Sequence, residues 1–314
     1  MHPAFSVILF TTVSGTGFGL WLWIALRIAF GDRAQWFDGM GWALGLIAGA
    51  GLVAFGVIAS LWHLGKPMRV WRAFSQWRSA WMSREGVFAL ASFAVAFALV
   101  LVQSTFVELP HETLAKRALA ALLAVLCVAA ICSTAMIYAS LKPIPAWRHR
   151  LVVPGYLLFA ALGGGILFGP FAGTTLDAPN MVGAGVFAGA IALWLLKRAY
   201  WRAIDRDALP QSRGDAVGLP GRDVSVFERP HTESNYLTRE MGFVFARKHS
   251  RRLRAIAVVL FALIPALCAL PVWLLPHGDA TASLWVAAAS FQLGAMVERW
   301  LFFAEAKHLV ALYY

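Results

Sequence analysis

The sequence predicts an all-α, polytopic membrane protein: a bundle of eight transmembrane helices forming a single integral membrane domain over residues 1–314. Hydrophobic residues make up 60% of the 314 positions and charged residues only 14%, whereas soluble domains usually carry about 25% charged residues. The apolar residues are also gathered into continuous runs of roughly 20 positions, the length that crosses a bilayer as a helix. Continuous runs exclude membrane β-strands, in which apolar and polar residues alternate.

Eight apolar runs qualify as spans, and each is expected to be helical because backbone polar groups in lipid must bond within their own segment. They lie near Phe5–Phe30, Met40–Leu61, Gly86–Val107, Leu114–Ser140, Leu151–Phe171, Met181–Tyr200, Ile256–Leu275 and Ser283–Phe303. The first run has no basic segment before it and no clear cleavage site, so we interpret it as a span rather than a removed signal. Clustered glycines in the first, second and fifth runs favour close packing of helices.

The positive charges are distributed unevenly between the two ends of this bundle. With eight spans, the gaps at 62–85, 141–150 and 201–254 fall on the same side as both termini, and they hold most of the Lys and Arg residues. The rule that basic loops stay inside predicts that these gaps and the termini are cytoplasmic in a bacterial inner membrane. The net charge of +11 therefore indicates membrane orientation rather than nucleic-acid binding.

The longest polar segment, residues 201–254, is predicted to be an extended basic cytoplasmic loop with a short helix near its end. Its second half mixes aromatic residues with a strongly basic run. Two interpretations fit this composition beside that of a solvated linker: a docking surface for an acidic iron–sulfur protein, or a contact with anionic lipid headgroups.

The segment from Ser60 to Gly86 carries arginines and tryptophans between two apolar runs, a composition typical of a membrane surface. His63 stands at its start and Glu85 near its end. Either residue alone has a simple interpretation, His63 as an interfacial anchor and Glu85 as a first-turn acid that favours the helix dipole. Together, with Arg69 nearby, they suggest a pocket that binds and protonates a quinone, because His and Glu titrate near neutrality when partly buried.

Three further residues are candidates for this pocket. Tyr138 can donate a phenol hydrogen, although an aromatic belt explains it equally well. Glu298 and Arg299 lie deep in the last run, where ionisable residues are functional candidates; they need not pair with each other, and Arg299 can also snorkel to the surface. No haem, iron–sulfur cluster or metal site is expected in this chain, because the histidines lie at span ends or in loops and no CxxC motif is present.

Several segments resemble the membrane-anchor subunits of dimethyl sulfoxide reductase-type molybdoenzymes. They are HLGKPMRVWRAFSQWRSAWMSREG, STAMIYASLKPIPAW, PHTESNYLTREMGFVFARKHSRRLR and VERWLFFAEAKHLVALYY. The resemblance covers essentially the whole chain. It implies an eight-helix, cofactor-free subunit that exchanges electrons between a membrane quinone, ubiquinone or menaquinone, and an iron–sulfur subunit. That subunit would serve a catalytic subunit with a bis-pterin molybdenum cofactor. The family's quinol-site histidine falls on His63 and its acidic residue on Glu85.

This resemblance does not identify the reaction, but the predicted orientation in the membrane reduces the number of candidate reactions. Partner subunits of the respiratory dimethyl sulfoxide reductases face the periplasm, whereas the basic gaps here predict a cytoplasmic face. This is similar to the anchors of cytoplasm-facing sulfite dehydrogenases, which implies sulfite oxidation with quinone reduction. A quinol-oxidising anchor of a terminal reductase is the alternative. A transporter or channel is a further alternative, disfavoured because the middles of the spans hold almost no ionisable residues.

Overall fold

The protein is described by a computed structural model that covers residues 4–31, 41–62, 66–103, 112–172, 179–206, 211–228, 245–275 and 281–313. Across these ranges the chain forms helices and connecting turns, with no β-strand. The predicted all-α class is therefore confirmed.

The long helices are numbered α1 to α8 in chain order. Their bounds are α1 Phe5–Phe30, α2 Gly41–Leu61, α3 Trp81–Gln103, α4 Glu112–Ala139, α5 Val152–Ala172, α6 Pro179–Arg206, α7 245–274 and α8 Thr281–Ala304. Two of them contain a π-helical turn, Phe10–Ser14 in α1 and Val259–Leu263 in α7. Shorter helices cover Pro67–Gln76, Arg213–Ala216 and Leu309–Leu312.

Among the described residues, seven helices, α1 to α7, are long and apolar enough to cross a membrane. Helix α8 has 24 residues, but Gln292, Glu298 and Arg299 lower its hydropathy, and it is not one of the seven. The predicted count of eight spans is therefore not confirmed. Helix α8 nevertheless packs among the others, because Leu284 and Phe291 are buried in the common core.

Several predicted helix boundaries differ from the structure. Helix α3 begins at Trp81 rather than at Gly86, because Ser83 and Glu85 turn inward and are buried. The polar loop is also shorter than residues 201–254: α6 continues to Arg206, and α7 begins at Phe245, so the basic run before Arg254 is helical. The middle of that loop, residues 229–244, lies outside the described residues.

Helix α1 lies at the centre of the bundle and packs against α2, α4 and α5. Its backbone meets that of α5 at Gly19 and Gly164, where a Cβ atom on either glycine would overlap the other helix's main chain. On another face, Trp21 is fully buried, and its indole nitrogen donates a hydrogen bond of 2.9 Å to the carbonyl of Leu46 on α2. Small residues thus permit the close approach that the glycine clusters predicted.

Neighbouring helices run in alternating directions. One end of the bundle therefore contains the starts of α1, α3, α5 and α7 and the ends of α4, α6 and α8. Contacts between Tyr138, Tyr156 and Phe302 at this end join α4, α5 and α8. We call it the basic end, because the basic gaps of the sequence lie there. The helix Pro67–Gln76 adds exposed Trp71, with the Arg72 guanidinium 5.5 Å from its ring centroid.

Candidate functional site

Glu85 lies at the basic end, beyond the first turn of α3, and only 8% of it is exposed. Its Oε1 atom is hydrogen-bonded to the Oγ1 hydroxyl of Thr134 on α4. That hydroxyl also lies 3.1 Å from the carbonyl oxygen of Ala130. A hydroxyl has one hydrogen to donate and two lone pairs. Thr134 can therefore donate to an ionised Glu85, or donate to Ala130 and accept from a protonated Glu85.

This arrangement corrects the first-turn interpretation of Glu85. Because α3 begins at Trp81, the carboxyl group does not cap the helix start but points into the bundle. A buried carboxyl group is costly unless it is hydrogen-bonded. The hydrogen bond to Thr134 supplies a partner in either protonation state, which suits a group that exchanges protons.

Of two other predicted site residues, the structure describes only one. His63 lies outside the described residues. Arg69 is described, and it is exposed on the helix Pro67–Gln76. Its guanidinium therefore belongs to the surface of the basic end rather than to the buried pocket that the sequence suggested.

Tyr138 lies near the end of α4, inside a cluster of aromatic side chains. Its ring is 5.1 Å from Phe303, 5.4 Å from Trp147 and 6.2 Å from the stacked ring of Tyr156, measured between centroids. Tyr138 also lies close enough to Glu85 for the two to interact electrostatically. The ring is thus packed among aromatic side chains of the bundle and is not part of an outer aromatic belt.

Glu298 is 2% exposed and forms an ion pair with Lys197 on α6, which is also buried. The Lys197 ammonium group lies 4.1 Å from the ring centroid of Tyr200 and 5.1 Å from that of Trp201. Lys197 was not among the candidate residues predicted from the sequence. The sequence does mark it, because Lys197 interrupts the apolar run of α6 as Glu298 interrupts that of α8. Buried charges at such depth need partners.

Arg299 is 3% exposed, so it does not snorkel to the surface. Its guanidinium carbon lies 3.6 Å from the ring centroid of Tyr156, in a cation–π contact. A guanidinium nitrogen is also 3.9 Å from Glu298 Oε2, so the adjacent charges do interact, although the main partner of Glu298 is Lys197. Arg299 Nε and Glu298 Oε2 have no hydrogen-bond partner among the described residues.

A small polar cavity joins these two groups of residues. It has a volume of about 20 Å³ and is lined by residues of α1, α4, α5 and α8, including Thr11, Thr16, Thr134, Tyr156 and Arg299. One water molecule requires roughly 10–15 Å³ measured in this way. The cavity can therefore hold water but not a quinone ring. It lies beside the π-helical turn of α1, and such turns occur often at functional sites.

A second cluster of charges lies nearer the surface of the basic end. Arg254 on α7 donates hydrogen bonds of 2.6 and 2.9 Å to Asp205 on α6, and bonds of 3.0 and 2.9 Å to Glu305, just after α8. The Asp205 side chain is 57% exposed, whereas that of Glu305 is 6% exposed. Burial raises the pKa of the Glu305 carboxyl above its ordinary value, and the Arg254 guanidinium opposes that shift.

A larger cavity lies toward the opposite end of the bundle. It measures about 590 Å³, and its walls are formed by apolar residues of α1, α5 and α6, with Arg27 as the charged lining residue. We call it the apolar groove. Its lining includes Trp23, Leu26, Leu158, Phe168, Met181, Gly185 and Gly189. It has room for a lipid chain, but its lining supplies no acid and no histidine.

Comparison with known proteins identifies the family of this chain. The family model described as "DMSO reductase anchor subunit (DmsC)" matches residues 1–304. The chain is also 31% identical, over 333 aligned positions, to a subunit of the sulfite dehydrogenase of Allochromatium vinosum; the alignment covers 100% of this chain and 99% of that protein. The all-helical fold, the membrane-spanning hydropathy and the full-length match agree, and the chain belongs to the DMSO reductase anchor subunit (DmsC) family.

Proposed function

We propose that this chain is the quinone-reactive membrane anchor of a heterotrimeric molybdoenzyme, passing electrons between an iron–sulfur subunit and the quinone pool. An anchor family supports this, because an anchor holds catalytic and iron–sulfur partner subunits at a membrane. The likeness to a sulfite dehydrogenase subunit supports sulfite oxidation with quinone reduction as the overall reaction. A quinol-oxidising anchor of a reductase is the second candidate, favoured by the description of the family itself.

The observation that carries the proposal is the buried Glu85 carboxyl group and its hydrogen bond to Thr134 at the basic end. Quinone reduction consumes two electrons and two protons, and the protons must reach the two carbonyl oxygens. A hydrogen-bonded carboxyl group that is stable in both protonation states can deliver one of them. The histidine at position 63 is the proposed second donor.

The quinone is the substrate of this site, and the shape of the site limits where its ring can bind. The polar cavity, whose wall includes Thr134, the partner of Glu85, has room for water only. The ring must therefore bind on the other side of Glu85, toward the segment that joins α2 to α3. The sequence places His63 two positions beyond Leu61, where α2 ends. Glu85 and His63 would thus hold the ring between them.

The surface of the basic end supports docking of the iron–sulfur subunit there. Arg69 and Arg72 are exposed on the helix Pro67–Gln76, beside the exposed rings of Trp71 and Trp77. An acidic partner would find charge complementarity at this surface. The uneven distribution of Lys and Arg favours a cytoplasmic location for this surface. Electrons and protons would then reach the quinone from the same side of the membrane, and the subunit need not pump protons.

Replacing His63 tests the proposed site directly. In the complete complex, His63→Ala should abolish quinone turnover while the oxidation of sulfite by a soluble artificial acceptor continues, since that acceptor takes electrons before they reach the anchor. The matched control is His249→Ala, a histidine in α7 outside the site. Normal quinone turnover in His63→Ala would contradict the proposal, and loss of assembly would assign His63 a structural role.

Orientation and substrate can be tested separately from the site. Reporter fusions to the connection between α4 and α5 should show it in the cytoplasm, and the purified complex should reduce quinone with sulfite. A periplasmic connection would favour the reductase alternative. Reduction of a sulfoxide by quinol, with no activity toward sulfite, would establish that alternative.

A further inference from the structure

Charged side chains form a line from the surface of the basic end into the bundle. Its outer part is the cluster of Asp205, Arg254 and Glu305, in which Asp205 is largely exposed and Glu305 is buried. Its inner part is the buried cluster of Lys197, Glu298 and Arg299. The two parts meet at the ring of Trp201, whose centroid lies 5.4 Å from the Arg254 guanidinium carbon and 5.1 Å from the Lys197 nitrogen. Lys197 and Glu305 also interact electrostatically.

The polar cavity continues this line from Arg299 to Glu85. Arg299 and Tyr156 line the cavity and can donate hydrogen bonds into it, and Arg299 Nε has no hydrogen-bond partner among the described residues. Thr11 and Thr16 supply acceptors, because their hydroxyls already donate to carbonyl oxygens one turn earlier in α1. A water molecule in the cavity would therefore find the two to four polar partners that a buried water needs.

The far wall of the same cavity is Thr134, the hydrogen-bond partner of Glu85. The Thr134 hydroxyl can reverse its direction of donation, as described above. A proton held by water in the cavity can therefore pass through this hydroxyl to Glu85 without any movement of the helices. From the surface inward, the series therefore runs through Asp205, Arg254 and Glu305, then Lys197, Glu298 and Arg299, then the cavity and Thr134, to Glu85.

The buried ion pairs of this series are poorly suited to holding the helices together, because burying charged groups costs free energy. Buried ion pairs are often no more stabilising than apolar residues of the same size. Here the inner cluster leaves Glu298 Oε2 and Arg299 Nε without hydrogen-bond partners in the part of the chain that is described. Buried ionisable residues in membrane helices commonly form proton relays, and a relay explains both the burial and the open hydrogen-bonding positions.

We propose that this series is the path by which protons reach Glu85 from the solvent at the basic end. The inference rests on the proposed function. For each quinone reduced to quinol, two electrons arrive from the partner subunit and two protons are bound; the path replaces the proton that Glu85 gives up. Glu305 and Glu298 carry the proton in turn, while Arg254, Lys197 and Arg299 stabilise their ionised forms. These are positioning and relay residues and do not touch the quinone.

Glu298→Gln tests the path, because it keeps the side-chain shape but removes the ability to carry a proton. In the complete complex, quinone turnover with sulfite and a short-chain quinone should fall about tenfold or more, with an unchanged KM for quinone. The solvent deuterium isotope effect on turnover should increase, and acetate, as a small diffusible proton carrier, should restore part of the rate. A purely structural role would produce neither of these last two effects.

A second, independent variant removes a hydroxyl from the cavity wall instead of changing a charge. Thr16 is buried and lines the cavity, so Thr16→Val keeps the shape of the side chain and removes a polar partner of the cavity water. It should reproduce the Glu298→Gln result. The matched control is Lys116→Met, which removes a buried lysine near the start of α4, at the opposite end of the bundle, and should leave the isotope effect unchanged.

The outcomes separate the path from the site. Wild-type turnover in both Glu298→Gln and Thr16→Val would overturn the path. A loss of turnover with an unchanged isotope effect and no rescue by acetate would overturn it too, because the loss would not then be in proton transfer. If Glu298→Gln does not assemble, Thr16→Val decides alone. If His63→Ala and Glu85→Gln also turn over quinone normally, the proposed function itself has failed and not only its proton supply.

Discussion

Two cavities between the described helices differ in size by more than tenfold, and the smaller one lies beside the candidate site. The apolar groove measures about 590 Å³ and the polar cavity about 20 Å³. Volume alone would favour the groove as a ligand site. Yet the groove is lined by apolar residues around Arg27, whereas the wall of the polar cavity combines apolar side chains with hydroxyl groups and Arg299 and includes the partner of Glu85.

From this difference we expect that the ability to exchange protons, and not volume, marks where the proposed quinone chemistry takes place in this bundle. A membrane protein can leave large gaps between helices that lipid chains fill, because no hydrophobic force closes them. A buried carboxyl group is different, since it is costly to keep and marks a position where charge is used. If this comparison is correct, substitutions around Glu85 should be damaging and substitutions in the groove should be nearly silent.

The largest effect is expected from Glu85→Gln. Removing the carboxyl proton while preserving shape should lower quinone turnover by about 100-fold or more, in the range of general acid–base catalysis. Sulfite oxidation by a soluble artificial acceptor, measured on the same preparation, should be unchanged. A loss smaller than threefold would mean that Glu85 is a packing residue.

A smaller effect is expected from Thr134→Val, which keeps the shape of the side chain and removes its hydroxyl. Losing a hydrogen bond to a charged partner costs about 1.5–3 kcal/mol, so turnover should fall by at least about tenfold and at most by about as much as in Glu85→Gln. Thr134→Ser retains the hydroxyl and should stay within about twofold of the wild type on the same scale. Equal activities of the two variants, measured with the same quinone, would remove Thr134 from the mechanism.

Tyr156→Phe should have a still smaller effect. The ring that faces Arg299 is retained, and only a hydroxyl at the polar cavity is lost. A hydrogen bond from this hydroxyl to water in the cavity would contribute about 1 kcal/mol, so its loss predicts a fall of about fivefold in quinone turnover. The thermal stability of the complex, followed by its loss of activity on heating, should change little. A marked fall in that stability would show that the hydroxyl supports packing instead.

The smallest effect is expected in the apolar groove. No atom lies within 4 Å of a Cβ built on Gly185, so Gly185→Phe can enter the groove without striking α1 or α5. Quinone turnover should remain within about twofold, because the groove has no role in proton transfer. A large rise in the KM for quinone in Gly185→Phe would show that the quinone binds in the groove rather than beside Glu85.

The class of fold and the depth of the charged residues in the last helix could be predicted from the sequence. Composition and run length predicted a helical membrane bundle, and the depth of Glu298 and Arg299 in their apolar run marked them as candidates. What the sequence did not reveal were partners on other helices. Lys197 lies 101 positions before Glu298, and Thr134 lies 49 positions after Glu85. These pairs depend on how each helix is rotated about its axis, which hydropathy does not determine.

The bounds of the helices explain another difference. The run beginning at Gly86 is apolar, so the sequence placed the start of the third span there. In the structure, α3 begins at Trp81, because its first turns carry their polar residues on the buried side. Helix α8 shows the opposite case, since buried Glu298 and Arg299 lower its hydropathy although it packs within the bundle. Hydropathy thus misplaces the helices where polar residues are buried.

The most direct test of the central claim is the position of a bound quinone in a cryo-electron microscopy structure of the complete complex, prepared with quinone or a tight-binding quinone analogue. The account predicts density for the ring at the basic end, with one carbonyl oxygen within hydrogen-bonding distance of Glu85 and the ring between α2 and α3. Density for the ring in the apolar groove, near Arg27, would contradict it.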